Sequence, residues 1–161
     1  MTRNSSDPIC YYIDTCYLAE YLRYPEGDLS KQAKPVIDRL KIRGSALKVS
    51  EVSAGEFARV ASLREDNETL MCSLYHRIKD KEFTICWVEN SELTQFLKLV
   101  AEIRNADDAI QPSDVLIVAQ SMVDTRCRGL LTFDGEMLSS RKLTDVITKN
   151  REGFIVTDDP L

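Results

Sequence analysis

The stretch Pro112–Asp134, PSDVLIVAQSMVDTRCRGLLTFD, decides how the rest of this chain is read. Val115-Leu116-Ile117-Val118-Ala119 is an unbroken apolar run that continues to Met122 and Val123, and Gly129-Leu130-Leu131-Thr132 follows before Asp134. Such a run suits a buried strand as well as a buried helix. It outlasts a usual strand, however, and Ser113 is a good N-cap type, so a helix feeding a short strand is expected. In a parallel α/β sheet a helix runs antiparallel to its strands. Its N-terminus then lies beside the strands' C-terminal ends, the edge at which such folds bind ligands. Asp114, opening the helix, and Asp134, just past the strand, are therefore expected on one rim.

Working outward, Ile9-Cys10-Tyr11-Tyr12-Ile13 reads as a first strand, with Asp14-Thr15 at its junction with a helix over roughly Cys16–Tyr24 that stops before Pro25. Ser30 is expected to cap a second helix ending at Gly44, and Ala46–Ser50 is a second strand. Ser53 and Glu56 fit a Ser-x-x-Glu capping box at the start of a long helix, broken around Asp66-Asn67. Phe83–Val88 is the clearest strand by composition. Ser91–Arg104 is expected as a helix with Leu93, Phe96, Leu97 and Val100 inward. A turn or short helix through Gly135–Lys142 and a last strand, Gly153–Thr157, close the chain. Strands alternating with helices imply an α/β fold, a central parallel sheet with helices on both faces.

With 161 residues, 43% of them hydrophobic and 29% charged, the chain is expected to form a single domain over 1–161. Met1–Pro8 is too polar, and Ile9–Ile13 too short, for a signal peptide, and no apolar run approaches the roughly 20 residues of a membrane span. A cytoplasmic protein without membrane contact is expected. The five cysteines, Cys10, Cys16, Cys72, Cys86 and Cys127, are odd in number and lack a CxxC spacing, so they are expected as reduced core fillers. His76 is the only histidine, on a helix surface, which leaves imidazole metal sites and histidine-based nucleophile schemes one candidate. A net charge of -5 gives no global attraction to nucleic acid, so any such contact needs a local basic patch.

Four carboxylates fall at equivalent places: Asp14 after the first strand, Glu56 in the helix after the second, Asp114 at a helix N-terminus and Asp134 beyond a later strand. Right-handed crossovers bring these places to one edge. Four ionised acids in one pocket repel, and a divalent cation relieves the repulsion. Oxygen ligands alone favour Mg²⁺ or Mn²⁺ over Zn²⁺. The chemistry expected is metal-dependent hydrolysis of a nucleic-acid backbone. Arg59, one turn beyond Glu56, and Arg141-Lys142, after Asp134, are candidates for phosphate contact, although each also reads as ordinary surface charge. Asp107-Asp108 and Glu51 read as solvated, and Tyr17 and Tyr21, four apart on one helical face, as core or a dimer seam.

The residues also carry a family resemblance. Tyr12-Ile13-Asp14-Thr15 resembles the opening of a PIN domain, and Ser50–Phe57 resembles its second motif, ending on a glutamate. Pro112-Ser113-Asp114 through Ala119 resembles the third, and Leu131-Thr132-Phe133-Asp134 the closing Thr-x-Asp. The match spans residues 10–157. It implies a Rossmann-like three-layer α/β/α fold and Mg²⁺- or Mn²⁺-dependent endoribonuclease activity on an RNA substrate. It also implies a homodimer and, among single-domain relatives of this size, the VapC-type toxins with their antitoxin protein partners. By the same resemblance Asp14, Glu56, Asp114 and Asp134 hold the metal directly or through water, and the Thr132 and Thr15 hydroxyls order the site. The separation of 58 positions from Glu56 to Asp114 makes this chain somewhat long beside the small toxins. The competing readings are a PIN-like module without turnover, serving RNA binding or assembly, and a phosphoacceptor receiver domain. The receiver reading lacks its acid pair, because Asp14 stands alone.

Overall fold

The computed structural model describes residues 8–160. Residues 1–7, on which the expectation about a signal peptide falls, and residue 161 lie outside the described residues. Five strands, β1 (Cys10–Ile13), β2 (Ala46–Ser50), β3 (Thr84–Cys86), β4 (Cys127–Leu131) and β5 (Ile155–Thr157), form one parallel sheet in the order β3-β2-β1-β4-β5. Two helices precede each of the later strands: α1 (Thr15–Leu22) and α2 (Asp28–Ile42) before β2, α3 (Glu51–Ser62) and α4 (Asn67–Lys79) before β3, α5 (Leu93–Ala106) and α6 (Pro112–Val123) before β4, α7 (Gly135–Ser139) and α8 (Arg141–Asn150) before β5.

Alternation along the strands divides the core into two layers. Tyr12 and Leu130 pack with α5, α6 and α8, whereas Ile13, Val49 and Leu131 pack with α1 to α4. The result is the three-layer α/β/α architecture expected from the sequence. From β1 the chain runs outward to β2 on one side and later returns to β4 on the other. The crevice at the C-terminal ends of β1 and β4 is therefore the sheet's topological switch point, where ligands bind in open α/β folds. Among the described residues no helix is long and apolar enough to cross a membrane.

Several helix starts differ from expectation, each for a local reason. Gly27, at φ 86°, is the N-cap of α2, and Ser30 lies inside the helix with its buried hydroxyl donating to the Gly27 carbonyl at 2.9 Å. Ser50 caps α3, accepting the Ser53 amide at 2.9 Å, so the Ser53–Glu56 capping box does not form. With α3 starting earlier, Glu51 is half-buried and not solvated, its Oε2 without a hydrogen-bond partner. Gln111 is the N-cap of α6 and Pro112 its first residue, where a missing N–H costs nothing; Ser113 is already helical. At the sheet edge β3 shortens to three residues, and Leu93 and Leu97 of α5 are exposed where Leu99 and Ile103 are buried. The inward stripe of α5 thus starts later than the first leucines suggest, with Phe96 and Val100 at its margin.

Two features hold α6 and β4 in place. The Arg151 guanidinium donates to the carbonyls of Ser121 (3.2 Å), Met122 (2.6 Å) and Asp124 (2.7 Å) at the end of α6, and also to Cys127. Gly129 is paired with Ile155, and a Cβ there would lie 2.7 Å from the Ile155 carbonyl oxygen, a backbone atom with little freedom to move. Gly129→Ala is expected to push β5 away and lower stability by about 1–3 kcal/mol, read as a fall in melting temperature; an unchanged melt would show that the strands separate freely.

Candidate metal centre

Asp14 ends β1 and begins α1. Its N–H donates to Leu131, continuing the sheet ladder, and its Oδ1 accepts the Thr15 N–H at 2.6 Å as the helix cap. The residue is 3% exposed. Its Oδ2 receives two side-chain donors, the Thr132 hydroxyl at 2.8 Å and the Cys16 thiol at 3.0 Å. Thr132, fully buried just past β4, also accepts the Asp134 N–H at 2.9 Å.

Glu56 reaches the same crevice from the second turn of α3, where its Oε2 accepts the Thr15 hydroxyl at 2.7 Å. Asp114 arrives from the first turn of α6, an end whose unpaired amides favour negative charge. One carboxylate oxygen from each of Asp14, Glu56 and Asp114 lies within 4.8 Å of the other two. Asp134 stands beside this trio. Its Oδ1 caps α7 by accepting the Met137 N–H at 2.8 Å, while its charge acts on Asp114.

The electrostatics follow from that crowding. Asp114 is pushed up to about 7, chiefly by burial and then by the charges of Asp14, Asp134, Glu56 and Glu136. Asp14 is also raised, mainly by burial and partly by Glu56, against the lowering effect of its Cys16, Thr132 and Thr15 donors. The groups acting on Asp114 most strongly are all acids, so the charge is left for an external cation. An all-oxygen set of three convergent carboxylates is the donor chemistry of a hard divalent ion.

The remaining candidates divide. Thr15 and Thr132 are both bonded to the gathered acids. Arg59, on the last turn of α3, and Arg141 and Lys142, opening α8, are exposed and lie outside the trio. The Ser140 hydroxyl, at 2.6 Å, holds Asp107 below the usual carboxylate range, with the Lys142 charge adding to the effect. Asp107 is thus half-buried and bonded, where its sequence context suggests a solvated loop acid. His76 is exposed on α4, and Tyr17 and Tyr21 are buried in the core.

Two functional neighbours escape the sequence reading. Glu136 carries charge toward Asp114 from the first turn of α7, a position no motif marks. Cys16 is not the core filler expected, since of the five cysteines only Cys10 and Cys127 are buried. Cys16 is bonded to Asp14 and, with Phe57, Phe133 and Asp134, lines a cavity of about 400 Å³. Its place two residues after Asp14 is the available signal.

The sequence matches no family model, and it matches no curated protein. Solved structures resemble its fold. A chain of the VapBC2 complex from Rickettsia felis bound to a DNA fragment from their promoter superposes with a TM-score of 0.62 at 13% identity, over 91% of this chain and 96% of that one. A chain of VapBC-1 from nontypeable Haemophilus influenzae gives 0.61 at 12% identity, over 93% and 97%. The sarcin-ricin loop cleaving toxin VapC20 of Mycobacterium tuberculosis gives 0.56 at 15% identity, over 78% and 91%. At such identities the likeness is one of fold.

Proposed function

We propose that this protein is a Mg²⁺- or Mn²⁺-dependent endoribonuclease, acting as the toxin of a toxin–antitoxin pair. The observation that carries the reading is the convergence of Asp14, Glu56 and Asp114 to within 4.8 Å at the switch point of the sheet. In its support stand the all-acid surroundings of Asp114 and a fold like that of VapBC chains and of a toxin that cleaves the sarcin-ricin loop. In this reading Asp14, Glu56 and Asp114 would hold the ion, and Asp134, whose charge acts on Asp114, would add to the negative surroundings that favour it. When bound, the ion supplies an activated water and charge stabilisation for in-line displacement at a phosphodiester.

The chain's own groups do the rest. Thr132 and Thr15 fix the carboxylates of Asp14 and Glu56, and orienting hydrogen bonds of this kind decide how well ligands hold a metal. Arg59, Arg141 and Lys142, exposed on α3 and α8, are assigned to phosphates of the RNA strand, since an acidic chain must attract it locally. A VapB-like antitoxin and a second copy of the chain are its partners.

The test is cleavage of a structured RNA by the purified protein with and without divalent ion. Products are expected with Mn²⁺ or Mg²⁺, none in EDTA, and recovery on adding the ion back. Calorimetry that detects no ion binding at millimolar concentration would favour a PIN-like module without turnover. Cleavage insensitive to EDTA would remove the metal mechanism.

A further inference from the structure

We infer that Cys16 is a positioning residue for the metal centre: its thiol, with Thr132, fills one oxygen of Asp14 and leaves the other with the free acceptor position for the ion. The inference rests on the metal-centre reading above and adds to it a role for a residue that neither the acid pattern nor the PIN-like motifs mark.

Lone pairs decide which oxygen is free. A carboxylate oxygen has two acceptor positions. At Asp14 Oδ2 both are taken, by the Thr132 hydroxyl at 2.8 Å and the Cys16 thiol at 3.0 Å. Among the described residues Oδ1 receives the Thr15 N–H, at 2.6 Å, and keeps one position open. Asp14 is thereby set to bind through a single oxygen. The Cys16 sulfur meanwhile accepts the Phe133 N–H at 3.4 Å and lies 3.5 Å from the Thr132 hydroxyl. One thiol thus ties the end of β1 to the loop leaving β4, the two chain segments that form the switch-point crevice. A packing residue would need none of these contacts, and Cys16 is not among the fully buried side chains.

Shape and hydrogen bonding can be separated with three variants. Cys16→Ser keeps a donor and loses bulk, Cys16→Val keeps bulk and loses the donor, and Cys16→Ala loses both. The readouts are Mn²⁺ affinity by isothermal titration calorimetry and melting temperature of the ion-free protein, neither of which needs catalysis. Loss of a hydrogen bond that orients a metal ligand weakens affinity by about 10-fold or more. Cys16→Val and Cys16→Ala are therefore expected to bind Mn²⁺ about 10-fold more weakly, while Cys16→Ser stays within about 3-fold of wild type. The opposite order, with Cys16→Val tight and Cys16→Ser weak, would make Cys16 a filler and overturn the inference, as would equal affinity in all four proteins. The expected ladder of affinities in a protein that cleaves no RNA would uphold Cys16 and retire only the nuclease reading. A wild type that binds no Mn²⁺ would end both.

Discussion

Replacing Asp114 by asparagine is expected to cut Mn²⁺-dependent RNA cleavage by at least about 100-fold, since a direct ligand should matter no less than the groups that orient one, while making the ion-free protein harder to melt. Asp114 is pushed up to about 7 by burial and by four neighbouring acids, so at pH 8 the empty site holds crowded negative charge. A group whose folded pKa lies above its unfolded value adds stability at low pH that is lost as pH rises. For Asp114 that window runs from its ordinary value of 3.8 to about 7. An asparagine side chain at this position carries no charge to crowd. The melting temperature of the variant should therefore exceed that of the wild type by several degrees at pH 8, and the gap should shrink as pH falls toward 4. Saturating Mn²⁺ should reverse the order, because only the wild type gains stability from the ion. Affinity of the wild type should climb through pH 7 as the ion displaces the proton held by Asp114. A variant that melts below the wild type at pH 8 without ion would show that Asp114 is neutralised by a partner inside the fold.

Arg151→Ala is the second large effect, and it acts on the scaffold. Its guanidinium serves the carbonyls of Ser121, Met122, Asp124 and Cys127, which lie at the C-terminal end of α6 and the start of β4. A positive charge at a helix C-terminus is favoured by the helix dipole. Removing the side chain strands several carbonyls in a part-buried place and strips its packing over Phe154, 5.4 Å from the ring centre. A cost of about 3 kcal/mol follows from charge-assisted bonds of this kind. In a chain of this size that is a fall in melting temperature of roughly 6–12 °C. Arg151→Lys should recover only part of it, since an ammonium cannot reproduce the planar fork of donors. Because α6 carries Asp114 at its other end, the variant should also bind Mn²⁺ less tightly below its melt. A loss under about 1 kcal/mol would mean that water replaces the guanidinium at no cost.

The fold was legible because its signals are long. The apolar run Val115–Ala119 became the buried helix α6, and the alternation of strands with helices became a parallel sheet. Convergence of Asp14, Glu56 and Asp114 was also readable, since in a right-handed α/β fold topology alone sends such positions to one edge. What escaped depends on shorter-range detail. Ser50 and Ser53 are both good capping residues, and the choice between them moved Glu56 from a helix cap to a hydrogen bond with Thr15. Two such serines within one helical turn of each other leave that choice to tertiary contacts. Leu93 and Leu97 show the same limit at a sheet edge, where helical spacing gives a stripe but not the direction it faces. Cys16 and Glu136 were missed because neither stands in a pattern. Each matters only through which atoms the folded crevice sets beside it.

The order of the strands has a consequence for the protein's own synthesis. β1 lies at the centre of the sheet, yet its second neighbour, β4, is encoded far later in the chain. A nascent chain that has emerged as far as β3 holds Asp14 and Glu56 but neither Asp114 nor Thr132, and one flank of β1 is still bare. A metal centre assembled this way is incomplete until late in synthesis. The acidic trio closes only when most of the polypeptide has left the ribosome, so that under the proposed activity the RNA being translated and the machine translating it are spared.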